Sequence, residues 1–122
     1  MNCHMMDRNE ETTSIIDEIV ARHSDREGSL LPILHDVQAE CGYISDAAKR
    51  RIAHALNLSR AEVHGVASFY HDFRDAPAAK PVMRLCRAEA CQARGGEALA
   101  AEAEHIAEGR VLIEPVYCLG LC

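Results

Sequence analysis

Cys86 and Cys91 form a C-x4-C pair in the stretch LCRAEACQ, and Cys118 and Cys122 form a C-x3-C pair in EPVYCLGLC. Four thiolates in two pairs suit a soft metal, either zinc or an iron–sulfur cluster. Structural zinc usually takes tight knuckles, and these spacings fall at the loose end of that range. A [2Fe–2S] cluster is wider than a single ion and takes two cysteines per iron, so longer, unequal loops suit it. A cluster, a zinc ion, and a disulfide or inert thiols all remain open on spacing. The residues inside the pairs, RAEA and LGL, include small side chains and a glycine. Such residues let backbone N–H groups approach inorganic sulfide, and Arg84, Arg87 and Arg94 are candidates to offset the negative charge of a bound cluster.

Other cysteines and histidines carry weaker signals. Cys41 falls on the apolar face of an expected helix and reads as a buried, inert thiol. Cys3 and His4 look metal-like but read better as part of the chain terminus. His64 and His71, seven residues apart, are expected to share a helix face. No third ligand accompanies them, so capping, packing or partner contact is the better reading. A thiol–disulfide enzyme is disfavoured, because the chain has no C-x-x-C motif.

The elements that must position the cysteines follow from periodicity. TTSIIDEIVARH places Ile15, Ile16, Ile19 and Val20 on one helical face. SLLPILHDVQAECGYI is a second helix, with Ser29 as its N-cap, Leu31, Leu34, Val37 and Cys41 on one face, and Gly42 as its stop. SDAAKRRIAHALN is a third, capped by Ser45, with Ala48, Ile52 and Leu56 inward. SRAEVHGVASFYHDF is a fourth, opened by a Ser59/Glu62 capping box and burying Val63, Val66, Ala67 and either Tyr70 or Phe73. After the linker RDAPAAKP come a strand (VMRLC), an alanine-rich helix (GGEALAAEAEHIAEG) and a second strand (RVLIEPV). Strand, helix and strand make one βαβ unit. If the strands pair in parallel, both cysteine pairs meet at their C-terminal ends, where open α/β sheets place their sites.

Composition narrows the function classes. The 122 residues are 48% hydrophobic and 26% charged, with a formal net charge of −6. That balance is foldable rather than disordered, and it offers no basic track for nucleic acid. Aromatic residues make up only 4%, with no tryptophan. No apolar run approaches a membrane span and no export signal is visible, so a cytoplasmic, reducing setting is expected. There is no Rossmann glycine fingerprint, P-loop or nucleophile motif.

The segments GSLLPILHDVQAECGYIS, LNLSRAEVHGVASFYHDF, RLCRAEAC and EPVYCLGLC resemble a known family. It is the small thioredoxin-like [2Fe–2S] subunit of respiratory complex I, with its relatives in NAD-reducing hydrogenases and NAD-dependent molybdenum formate dehydrogenases. The resemblance runs from about Gly28 onward. CRAEACQ and EPVYCLGLC are most similar to the gamma subunit of the cytosolic formate dehydrogenase. The resemblance implies that Cys86, Cys91, Cys118 and Cys122 ligate one [2Fe–2S] cluster, and that the chain carries electrons without an active site of its own. It further implies an FMN- and NAD-binding partner subunit, further Fe–S clusters, and a molybdenum cofactor on a separate catalytic subunit. GVASFYHDF then has two readings, a helix core or a contact with the flavin subunit or the cluster domain.

The expected fold is α+β/α/β. An N-terminal helical bundle (1–80) is followed by a thioredoxin-like βαβ [2Fe–2S] ferredoxin domain (81–122) whose C-terminal part is missing. Family members continue with a β-hairpin and usually a final helix, so the expectation is a longer natural protein. The equivalent subunit of an NAD-reducing hydrogenase or of complex I is the alternative parent. A structural zinc-binding assembly module is the alternative of a different class.

Overall fold

Helical periodicity in the first half becomes four helices: α1 (Asn9–Arg22), α2 (Leu30–Cys41), α3 (Asp46–Leu56) and α4 (Arg60–Phe69). The structure is a computed structural model that describes residues 9–121, so Cys3, His4 and Cys122 lie outside the described residues. The chain divides into two compact units, Met1–Pro77 and Ala78–Cys122.

The core of the first unit is built by the apolar stripes. Ile16 and Ile19 of α1 meet Ile33, Leu34, Val37 and Cys41 of α2, Ala48, Ile52 and Ala53 of α3, and Val63 and Ala67 of α4, all buried. On α2 the buried stripe begins at Ile33 rather than Leu31, which is only half-buried. On α3 Ala53 is buried, and Leu56 packs at the margin. Polar ties join the same helices. The Arg51 guanidinium donates to both carboxylate oxygens of Asp17, at 2.8 and 2.7 Å, linking α3 to α1. Arg22 pairs with Glu40, linking α1 to α2.

Capping explains where the helices start and stop. Ser45 and Ser59 have extended backbones, and their hydroxyls accept from Ala48 and Glu62 N–H, each at 3.1 Å. Glu62 completes the box by accepting from Ser59 N–H at 2.8 Å. Ser29 departs from its expected role. Its backbone is already helical, at φ −69° and ψ −11°, and its side chain caps nothing. Gly42 ends α2 with φ +82°, a left-handed conformation that glycine adopts without strain.

Helix α4 ends at Phe69, four residues before the expected limit, and Tyr70 is extended at φ −90°, ψ 114°. The chain turns back here because Gln38 of α2 holds it. Its side-chain amide donates to Asp72 C=O at 2.5 Å and accepts from Arg74 N–H at 2.6 Å. Ile44 N–H also donates to Arg74 C=O at 2.7 Å. The turn brings Phe73 against the core and against the His35 ring, while Tyr70 remains 43% exposed.

The second unit is β1 (Val82–Cys86), α5 (Glu89–Ala93), α6 (Gly96–Ala107) and β2 (Leu112–Val116). The strands pair in parallel, with Val82 opposite Leu112 and Cys86 opposite Val116. The crossover contains two helices instead of the expected one. Gly95, at φ +92°, separates them. Among the described residues of this unit only Ala100 is fully buried.

Candidate metal centre

Cys86 is the last residue of β1 and Cys118 lies two residues past β2, so parallel pairing brings both to the same end of the sheet. The ladder continues one step beyond the strands, where Arg87 N–H donates to Val116 C=O at 2.7 Å. Cys91 lies on α5, the short helix that follows β1. Cys86, Cys91 and Cys118 together line one cavity of ≈ 380 Å³, which Arg94, Gly96 and Leu119 also border. Cys122 is outside the described residues, so three of the four expected cysteines are placed together. Among the described residues, no three His, Cys, Asp or Glu side chains converge tightly enough to hold a metal ion.

Backbone N–H groups surround the Cys86 sulfur. Cys118 N–H donates to it at 3.2 Å, and Cys118 adopts φ +73°, an uncommon conformation for a non-glycine residue. N–H groups from Ala88 first, then Cys118, hold the Cys86 thiol down at about 7, helped by the Cys91 side chain and Leu119 N–H. Hydrogen bonds to the charged form favour the thiolate, which is the form that binds metal. The donor set is thus thiol sulfur ringed by amide N–H, the chemistry that suits a thiolate-ligated cluster.

Gly96 shapes the cavity from beneath. A Cβ at that position would lie 2.7 Å from the Cys91 carbonyl oxygen and 3.0 Å from its carbonyl carbon. Only glycine lets α6 begin directly against the backbone that carries Cys91. The three candidate arginines divide in their roles. Arg84 lies 3.8 Å from Glu114. Arg87 is bound in a fork by Glu97, with Nε–Oε1 2.9 Å and Nη2–Oε2 2.7 Å. Arg94 borders the cavity. The Arg87–Glu97 pair has no signature in the sequence, since ten residues and three helix boundaries separate the partners.

Cys41 is buried in the core of the helical unit, as an inert thiol would be. His64 sits on α4, but His71 follows the end of that helix, so the two do not share a helix face. Both border a cavity of ≈ 300 Å³ with Lys49, Ser68 and Tyr70. No helix among the described residues is long and apolar enough to cross a membrane.

Helices followed by a parallel strand pair, with cysteines at one end of the strands, fit a thioredoxin-like domain with a thiolate site. The chain belongs to the thioredoxin-like [2Fe-2S] ferredoxin family, whose profile it matches over residues 16–122. It is 34% identical over 114 residues to a NADH-quinone oxidoreductase subunit of Mycobacterium tuberculosis, covering 86% of this chain and 45% of that protein. It is 36% identical over 86 residues to the alpha subunit of the NAD-reducing hydrogenase HoxS of Cupriavidus necator, covering 70% of this chain and 14% of that protein. Identity to a NADH-quinone oxidoreductase subunit of Escherichia coli is 28% over 116 residues, covering 88% of this chain and 70% of that protein. The chain therefore spans a little under half the length of the mycobacterial relative.

Proposed function

We propose that this chain is the [2Fe–2S] electron-transfer subunit of an NAD-linked oxidoreductase complex. In this reading Cys86, Cys91, Cys118 and Cys122 are the cluster ligands. The observation that carries it is the convergence of Cys86, Cys91 and Cys118 on one cavity at the ends of two parallel strands, with N–H donors directed at the Cys86 sulfur. Membership in the [2Fe-2S] family and similarity to subunits of NADH-quinone oxidoreductase and NAD-reducing hydrogenase support the same reading.

When bound, the cluster supplies one-electron redox chemistry. The protein's part is to hold the sulfurs, to keep Cys86 as thiolate, and to surround it with amide dipoles that stabilise negative charge. The partner is an FMN-containing, NAD-binding subunit, which exchanges single electrons with this chain. The parent complex of this reading is a cytoplasmic NAD-dependent formate dehydrogenase with a molybdenum-containing catalytic subunit, on the resemblance of CRAEACQ and EPVYCLGLC to its gamma subunit.

Anaerobic purification or reconstitution of the chain tests the core of this. A red-brown protein with two irons and two acid-labile sulfides per chain and a rhombic EPR signal on reduction is the expected result. A colourless protein with one zinc per chain and no labile sulfide overturns it in favour of a structural zinc module. Co-purification from the native source tests the finer reading. A molybdenum subunit is expected, and a nickel–iron subunit identifies a hydrogenase instead.

A further inference from the structure

Arg87 is fixed at every polar group it has. Its N–H donates to Val116 C=O at 2.7 Å, its C=O accepts from the Gln92 side chain at 2.7 Å, and its guanidinium is forked onto Glu97. It is also the only cation between Cys86 and Cys91. Glu97 occupies the first turn of α6, where the helix dipole favours a carboxylate. The fork therefore bolts the first cysteine loop to α6, immediately beside Gly96, whose missing side chain admits the Cys91 backbone.

A planar bidentate pair is a stronger and more directional tie than a point-charge contact. It also has an electrostatic consequence. Reduction adds negative charge to a cluster, so a nearby cation favours the reduced form and an anion opposes it. A guanidinium paired with a carboxylate is close to neutral at a distance, and the Glu104 carboxylate adds further negative charge around it. Neither Arg87 nor Glu97 lines the cysteine cavity, and we infer that Glu97 is a positioning residue that keeps the Arg87 guanidinium out of that lining and cancels its charge, keeping the cluster's reduction potential low. This inference rests on the cluster reading above and goes beyond it by assigning the potential to a particular pair.

The test uses the full 122-residue chain, reconstituted anaerobically with iron and sulfide, with the midpoint potential read by EPR-monitored titration. Glu97→Gln frees a positive charge and shifts the midpoint upward. Arg87→Gln leaves Glu97 unpaired and shifts it downward. The double variant Arg87→Gln/Glu97→Gln returns it close to the wild-type value. A merely structural tie lowers thermal stability or cluster yield in the single variants but leaves the midpoint of the loaded fraction unmoved, and that result overturns the inference. If the wild-type chain takes up no cluster, the functional reading itself fails, an outcome distinct from a loaded wild type with unresponsive variants.

Discussion

At the scale of single residues, the candidate centre depends on atoms that sequence types alone do not reveal. Cys86 is singled out among its neighbours by the N–H groups of Ala88 and Cys118, which hold its thiol at about 7. An ordinary cysteine titrates at roughly 8.5, so the thiolate of Cys86 survives to lower pH. In the metal-free chain, iodoacetamide alkylation of Cys86 is expected to fall to half its plateau rate near pH 7. A midpoint above about pH 8, followed by peptide mass spectrometry, contradicts the assigned hydrogen bonding. Gly96 is the second such residue. Gly96→Ala forces a methyl within 2.7 Å of the Cys91 carbonyl oxygen, a backbone atom that cannot rotate away. Cluster content per folded chain should drop severalfold, and full occupancy in a folded Gly96→Ala chain shows that Cys91 has more room than the structure gives it. Cys41→Ser is the matching control, because Cys41 belongs to the helical core, and its cluster content should equal the wild type's.

The helices show which structural signals a sequence carries and which it does not. α1 to α4 are legible because each buries a continuous stripe at helical spacing, and because Ser45, Ser59 and Gly42 are chemically suited to ends. Ser29 has the same chemistry, but its backbone is already helical and Pro32, three residues on, has no N–H to offer, so its hydroxyl makes no cap bond. The two serines should therefore respond differently. Ser59→Ala loses the hydroxyl half of the capping box, keeping only the backbone N–H to Glu62, and costs about 1 kcal/mol, whereas Ser29→Ala is close to neutral. Urea denaturation followed by circular dichroism measures both, and equal losses would restore Ser29 as a cap. The end of α4 is not legible, because it is set by the Gln38 side chain, 34 and 36 residues from its contacts at Asp72 and Arg74. α5 escapes notice because five residues show no periodicity, yet it carries Cys91, which lines the same cavity as Cys86 and Cys118. The convergence of Cys86, Cys91 and Cys118 is readable, since parallel pairing follows from the crossover and puts the residues after both strands at one sheet end. The Arg87–Glu97 fork is not, for a contact between side chains on separate elements leaves no local pattern.

Across the whole molecule, burial is distributed very unevenly. Among the described residues, the helical unit has a contiguous core of twelve buried side chains from four helices and the α2–α3 loop, including Ile44. In the second unit the described residues bury only Ala100, while Met83, Leu99, Ile106 and Leu112 remain more than two-fifths exposed. Apolar burial is the main favourable term in folding, so the helical unit has its own source of stability and the cysteine-bearing unit has little. Metal or cluster binding that orders its own site contributes folding free energy to the region that holds it. Loading the cluster should therefore slow amide hydrogen exchange strongly in β1, α6 and β2, and hardly at all in α2, α3 and α4. The converse perturbation completes the argument: Ile52→Ala opens a cavity in the helical core, costs roughly 2–5 kcal/mol there, and should raise exchange in α1 to α4 while leaving the loaded strands protected. Exchange that slows equally in both units on loading, or that rises equally in both in Ile52→Ala, means that the chain opens as one cooperative body and that the second unit draws its stability from the first.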